Sequence, residues 1–130
     1  MDRLIFSIRQ IAGLQATGEL KIIGEDLSFP ALSGKWGKGY LPLGEYKISA
    51  PYRMDDVKKN IAYKRERFPW MAAIVPQFKT DRDNLAIHPD GNIEGTLGCI
   101  GLLNYDTLCY YALKSVWKKG IVLDVIDARK

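Results

Sequence analysis

No apolar stretch of this chain approaches the about 18 residues a membrane-crossing helix needs, so no membrane span is expected. The opening residues, Met1-Asp2-Arg3-Leu4-Ile5-Phe6-Ser7-Ile8-Arg9, are too short and too broken by charge to read as a signal peptide. The chain is therefore expected to be made in the cytoplasm. One histidine and two cysteines do not make a four-ligand zinc shell, so neither a metal nor another cofactor is expected. Two cysteines allow at most one disulfide. A chain of 130 residues buries a core without one, so both thiols are expected free. No internal repeat or low-complexity tract breaks the sequence, and residues 1–130 read as a single domain.

The net charge of +4 suits an anionic polymer as partner. Its basic residues, however, gather only in short clusters at Lys58-Lys59, Lys64-Arg65-Glu66-Arg67 and Lys118-Lys119. None is interleaved with aromatics, so a nucleic-acid partner is not expected.

Period-two alternation predicts strands over residues 3–9 and 19–23. Gly24-Glu25-Asp26 reads as a hairpin connection into a strand over 27–29. Residues 30–39 carry enough proline and glycine to predict a loop, within which Trp36 either closes over the core or stacks on a ligand. Strands follow over 45–49, over an apolar run bounded by Pro69 and Pro76, and over 85–88. The charged segment between, 53–67, reads as partly helical or as an insertion lying over one face. Asn104 predicts an N-cap, followed by a helix burying Tyr105, Leu108, Cys109, Ala112, Leu113 and Val116. Lys118-Lys119-Gly120 ends it, and a strand over 121–126 closes the chain. The expected architecture is mainly β, a largely antiparallel sheet carrying one helix near the C-terminus.

The chemistry concentrates between Ile87 and Gly101, which hold the only histidine, His88, and one of the two cysteines, Cys99. A thiol is a weak nucleophile until a neighbour takes its proton. An imidazole does so near neutral pH. Gly91, Gly95 and Gly98 let the chain between the two residues fold back so that they can meet. The backbone amides of Gly98 and Cys99 are candidates for binding a developing oxyanion.

Gly98-Cys99-Ile100, downstream of Ile87-His88, resembles the catalytic motif of L,D-transpeptidase (YkuD-type) domains. Leu41-Pro42-Leu43-Gly44-Glu45-Tyr46-Lys47-Ile48 resembles the Thr-Pro-x-Gly-x-Tyr/Phe-x-Ile start of one of that family's strands. In outline the resemblance spans about residues 15 to 126. The short link from His88 to Cys99 is similar to that of small relatives in phages and secreted bacterial effectors. The resemblance implies a β-sandwich or sheet core with one helix near the C-terminus. It also implies a cysteine acyl-enzyme chemistry on peptidoglycan stem peptides, with Cys99 as nucleophile and His88 as base. The carbonyl of Pro89 or Asp90 would orient the ring. Tyr46, Asn92, Thr96 and Trp36 are candidates for contacting substrate. Such an enzyme would meet the cell wall in the periplasm or outside, after lysis, injection or dedicated secretion, with any immunity or delivery partner undefined. Thr96, Leu97 and Gly101 stand where the family usually has Ser, His and Arg. Those departures favour the alternative, a non-catalytic structural or wall-binding module on the same scaffold.

Overall fold

The computed structural model describes residues 3–91 and 94–129. Its strands are β1 (Arg3–Ala12), β2 (Gln15–Ile23), β3 (Leu27–Gly34), β4 (Gly44–Ile48), β5 (Tyr52–Arg53), β6 (Trp70–Pro76), β7 (Leu85–Pro89), β8 (Ile100–Leu102) and β9 (Val122–Asp127). A 3₁₀ turn, Ile61–Tyr63, follows β5, and the helix α1 (Asp106–Val116) precedes β9. The strands hydrogen-bond in the order β4-β9-β1-β2-β3-β8-β7-β6, and β6 returns to β4 through Tyr46–Pro76, Lys47–Val75 and Ile48–Ile74. The sheet is thus a closed barrel of eight strands, with β5 paired to β6 beyond it. The fold is mainly β with one helix near the C-terminus. The β2–β3 hairpin lies inside the closed sheet, between β1 and β8.

The core follows from strand periodicity. Leu4, Phe6 and Ile8 alternate along β1 and are fully buried, as are Tyr46 on β4 and Trp70 on β6. On α1, Cys109, Tyr110, Leu113 and Val116 turn inward. The Tyr110 ring meets Phe68 and Trp70 edge to face at centroid distances of 5.2 and 5.4 Å. Each such pair adds roughly 0.5–1.5 kcal/mol beyond burial.

Three expectations are corrected. The segment starting at Pro30 is not all loop, because β3 runs on to Gly34. The β8 ladder on that side ends at the Ala31–Leu102 pair, and Pro30 contributes a carbonyl that accepts from Leu103 at 2.9 Å. Nor does the Asn104 side chain cap α1. Tyr105 occupies the cap position in a left-handed conformation, and the Glu66 carboxylate accepts from the amides of Tyr105 and Thr107 at 3.0 and 2.9 Å. The helix also turns differently, so that Tyr105 and Leu108 are exposed and Tyr110 is buried.

Among the described residues no helix is long and apolar enough to cross a membrane.

Candidate active site

β7 and β8 run parallel, with Ile87 beside Ile100 and His88 beside Gly101. Cys99 lies one residue before β8. Cys99 therefore enters the strand beside that of His88, and the two side chains line one cavity. Gly101, directly opposite His88, has no room for a side chain. A Cβ there would lie 2.9 Å from Asp90 Cβ and 3.0 Å from Thr96 Cγ2. The Arg that the resemblance places at this position would have to displace Asp90 and Thr96.

His88 is buried at 5% exposure, yet it lines a cavity of about 630 Å³ together with Cys99. Its Nδ1 lies 2.7 Å from the Pro89 carbonyl. A carbonyl only accepts, so Nδ1 carries the proton and Nε2 holds the free lone pair. The Tyr63 ring stands edge-on to the imidazole at 4.7 Å and 83°. Burial pushes the ring's pKa down to about 4, against the opposing pull of the Pro89 carbonyl. The imidazole is therefore neutral at pH 7, with its basic nitrogen unprotonated.

Pro89 takes the ring-orienting role, and Asp90 does not. The Asp90 carbonyl accepts from Arg65 Nη1 at 2.9 Å, and its carboxylate accepts from the Gly95 amide at 3.1 Å.

Cys99 is held differently from what a preformed thiolate would require. Its thiol donates to the Asn84 carbonyl at 3.8 Å. Burial raises the thiol pKa, while a backbone hydrogen bond from Ala86 and the charge of Arg82 pull it the other way. The resting pair is thus thiol and imidazole.

The expected two-amide oxyanion hole is also altered. The Gly98 amide donates to Thr96 Oγ1 at 3.1 Å, which leaves the Cys99 amide as the member of the pair that Thr96 does not engage. Gly98 itself, at φ +128°, needs the conformational range of glycine.

Thr96 lines the cavity and also fastens the loop. Its hydroxyl donates to the Cys99 carbonyl at 2.7 Å and accepts from the amides of Gly34 and Gly98. Tyr46 is removed from the site altogether. It is buried in the core, donates to the Pro42 carbonyl at 2.7 Å and packs edge-on to Phe78. Asn92 lies outside the described residues. Trp36 does reach the cavity. It is 45% exposed, so the core alternative for it is corrected, and its indole donates to the Glu94 carbonyl at 3.1 Å. Both cysteines are free.

The sequence reading did not assign a role to Tyr63, Asn84 or Leu97, all of which line the cavity, nor to Arg82. Tyr63 arrives on the charged 53–67 segment, which lies across the end of β7. The Ala62 carbonyl accepts from the Gly91 amide at 3.2 Å, and Arg65 holds the Asp90 carbonyl. A tyrosine inside a charged run was the only sequence signal. Among the described residues no three His, Cys, Asp or Glu side chains converge as a metal shell would require. Set against protein-family models, curated proteins and solved structures, the chain matches none of them.

Proposed function

We propose that this chain is a cysteine-dependent acyl-transfer enzyme of L,D-transpeptidase type acting on peptidoglycan stem peptides. Its barrel would then be a compact variant of that family's catalytic core, meeting its substrate in the cell wall. The observation that carries the reading is the Nδ1–Pro89 hydrogen bond of 2.7 Å, which leaves Nε2 as the free base of a side chain lining the same cavity as Cys99. Substrate would draw Sγ away from Asn84 toward the ring, and Nε2 would take the thiol proton as sulfur attacks the carbonyl carbon. The tetrahedral oxyanion would accept from the Cys99 amide. Collapse would break the C–N bond, and the amine would leave with the proton from the imidazolium. The resulting thioester would pass to water or to a second amine. Trp36 and Tyr63 supply aromatic surface in the cavity for the substrate.

The test is incubation of purified muropeptides with wild type and Cys99→Ala, followed by mass spectrometry. A product mass change with wild type alone, at least about 10³-fold above the variant, is expected. A second reading, the non-catalytic wall-binding module, is favoured by the thiol's hydrogen bond to Asn84 and the engagement of the Gly98 amide by Thr96. No mass change with either protein, together with binding to intact wall by both, would select it.

A further inference from the structure

We propose that Arg82 is a positioning residue for Cys99, holding the turn before the nucleophile and supplying positive charge where the sulfur becomes anionic; this rests on the acyl-transfer reading above. Arg82 lies in the loop ahead of β7. Its Nη2 donates to the Gly39 carbonyl at 2.7 Å and its Nη1 to the Tyr40 carbonyl at 3.1 Å. The same guanidinium lies against Gly98. A Cβ at Gly98 would fall 2.1 Å from Nη2, so residue 98 has its open face filled by this cation. One group therefore ties the 39–40 loop to the turn that presents the sulfur.

The charge of Arg82 is not neutralised by an ion pair. Among the described residues Arg82 enters no salt bridge, and the carboxylate next to it in sequence, Asp81, is taken by Lys38 at 2.6 Å. Arg82 and Cys99 line a second cavity, of about 300 Å³, on which Lys38, Asp81 and Asp83 also abut. The remaining titratable groups on the sulfur's larger cavity are His88, neutral at pH 7, and Tyr63. Lys38 and Asp81 compensate each other, and Asp83 is exposed to solvent. Arg82 is thus the part-buried cation with a net field at Cys99. Its donors rest on neutral carbonyls, which hold the guanidinium in place without cancelling its charge.

The experiment uses thiol labelling and needs no peptidoglycan, so its outcome is separable from that of the muropeptide assay. Cys99 of the full chain is alkylated with iodoacetamide across a pH series, and the labelled peptide is quantified in wild type, Arg82→Gln and Arg82→Lys. The Gln variant is expected to label about fivefold more slowly at a given mildly alkaline pH, its profile displaced upward, with Lys within about twofold of wild type. Equal profiles for wild type and Gln overturn the proposal, as does a Lys variant as slow as Gln, since packing rather than charge would then matter. Should Gln not fold, the ratio of iodoacetate to iodoacetamide labelling in wild type and Lys decides. A ratio above that of a free thiol supports a local cation, and a ratio equal to it overturns the proposal.

Discussion

The two cysteines of this protein make a natural comparison. Each is a free thiol, each has its pKa raised by burial, and each has a buried titratable side chain nearby. Around Cys99 the neighbours oppose the burial: a backbone hydrogen bond from Ala86 and the charge of Arg82 both favour the anion. Around Cys109 the neighbour adds to it, because the Asp106 carboxylate, on the same helix, pushes the thiol further up. Cys99 also opens on two cavities, whereas Cys109 is fully buried in the core. What separates a candidate nucleophile from a structural thiol is the polarity and access around the sulfur, and burial alone does not distinguish them. The comparison is broken most directly by labelling the native protein. Cys99 should outpace Cys109 by about 10³-fold or more, since Cys109 reacts only through opening of the fold. Comparable rates for the two peptides would show that the site around Cys99 offers no special access.

The mainly β character was legible because the strands bury alternate side chains, whereas the barrel that replaces the expected sandwich or open sheet was not. The Leu4, Phe6, Ile8 spacing and the apolar run from Trp70 to Pro76 needed no tertiary information. That His88 and Cys99 would line one cavity was legible from their order: the lone histidine sits at a strand end, with a glycine-rich return to Cys99. What local pattern could not reveal was long-range pairing. The cap of α1 is Glu66, 39 residues before Tyr105, and nothing near Asn104 announces it. Arg82 reaches Gly39 and Tyr40 across more than forty residues, so it reads in sequence as one more charge in a polar loop. Pro30 looked like a strand breaker because the early end of the β8 ladder beside it is a property of the whole sheet. Tyr46 was misplaced by resemblance: its position on β4 was right, but its ring faces the core and not the site. Closure of β6 onto β4 is likewise invisible until both strands are in place.

The partners of the two thiols sharpen the comparison further, because protonation acts on them in opposite senses. His88 has its pKa lowered from 6.5 to about 4 by burial. As pH falls below 6.5 the unfolded chain binds a proton there that the folded chain refuses, so stability is lost across that window. The loss approaches about 3 kcal/mol near pH 4. Thermal melts at pH 7 and pH 4 should therefore show the change on acidification displaced toward stabilisation in His88→Gln relative to wild type. Equal changes in the two proteins would mean that the ring is not desolvated as the structure has it.

Asp106 runs the other way and carries the smallest effect. Burial, aided by the nearby Glu66 carboxylate, raises its pKa from 3.8 to about 6. Both carboxylate oxygens are buried without a hydrogen-bond partner. The folded chain takes up this proton first as pH falls, so stability is gained between about pH 6 and pH 4, within the window where His88 costs it. The two dependences partly cancel, and wild type should show a shallow acid profile. Asp106→Asn keeps the shape, removes the buried charge and gives Glu66 a permanent donor. At pH 7 it should stabilise the protein by on the order of 1 kcal/mol, after discounting for solvent screening. It should also steepen the acid loss, because the compensating gain is gone while that of His88 remains. Denaturant melts of Asp106→Asn at both pH values measure the two effects together. An Asn variant less stable than wild type at pH 7 would show that the carboxylate is stabilised where it stands, and the symmetry between the two thiol environments would then fail on the Cys109 side.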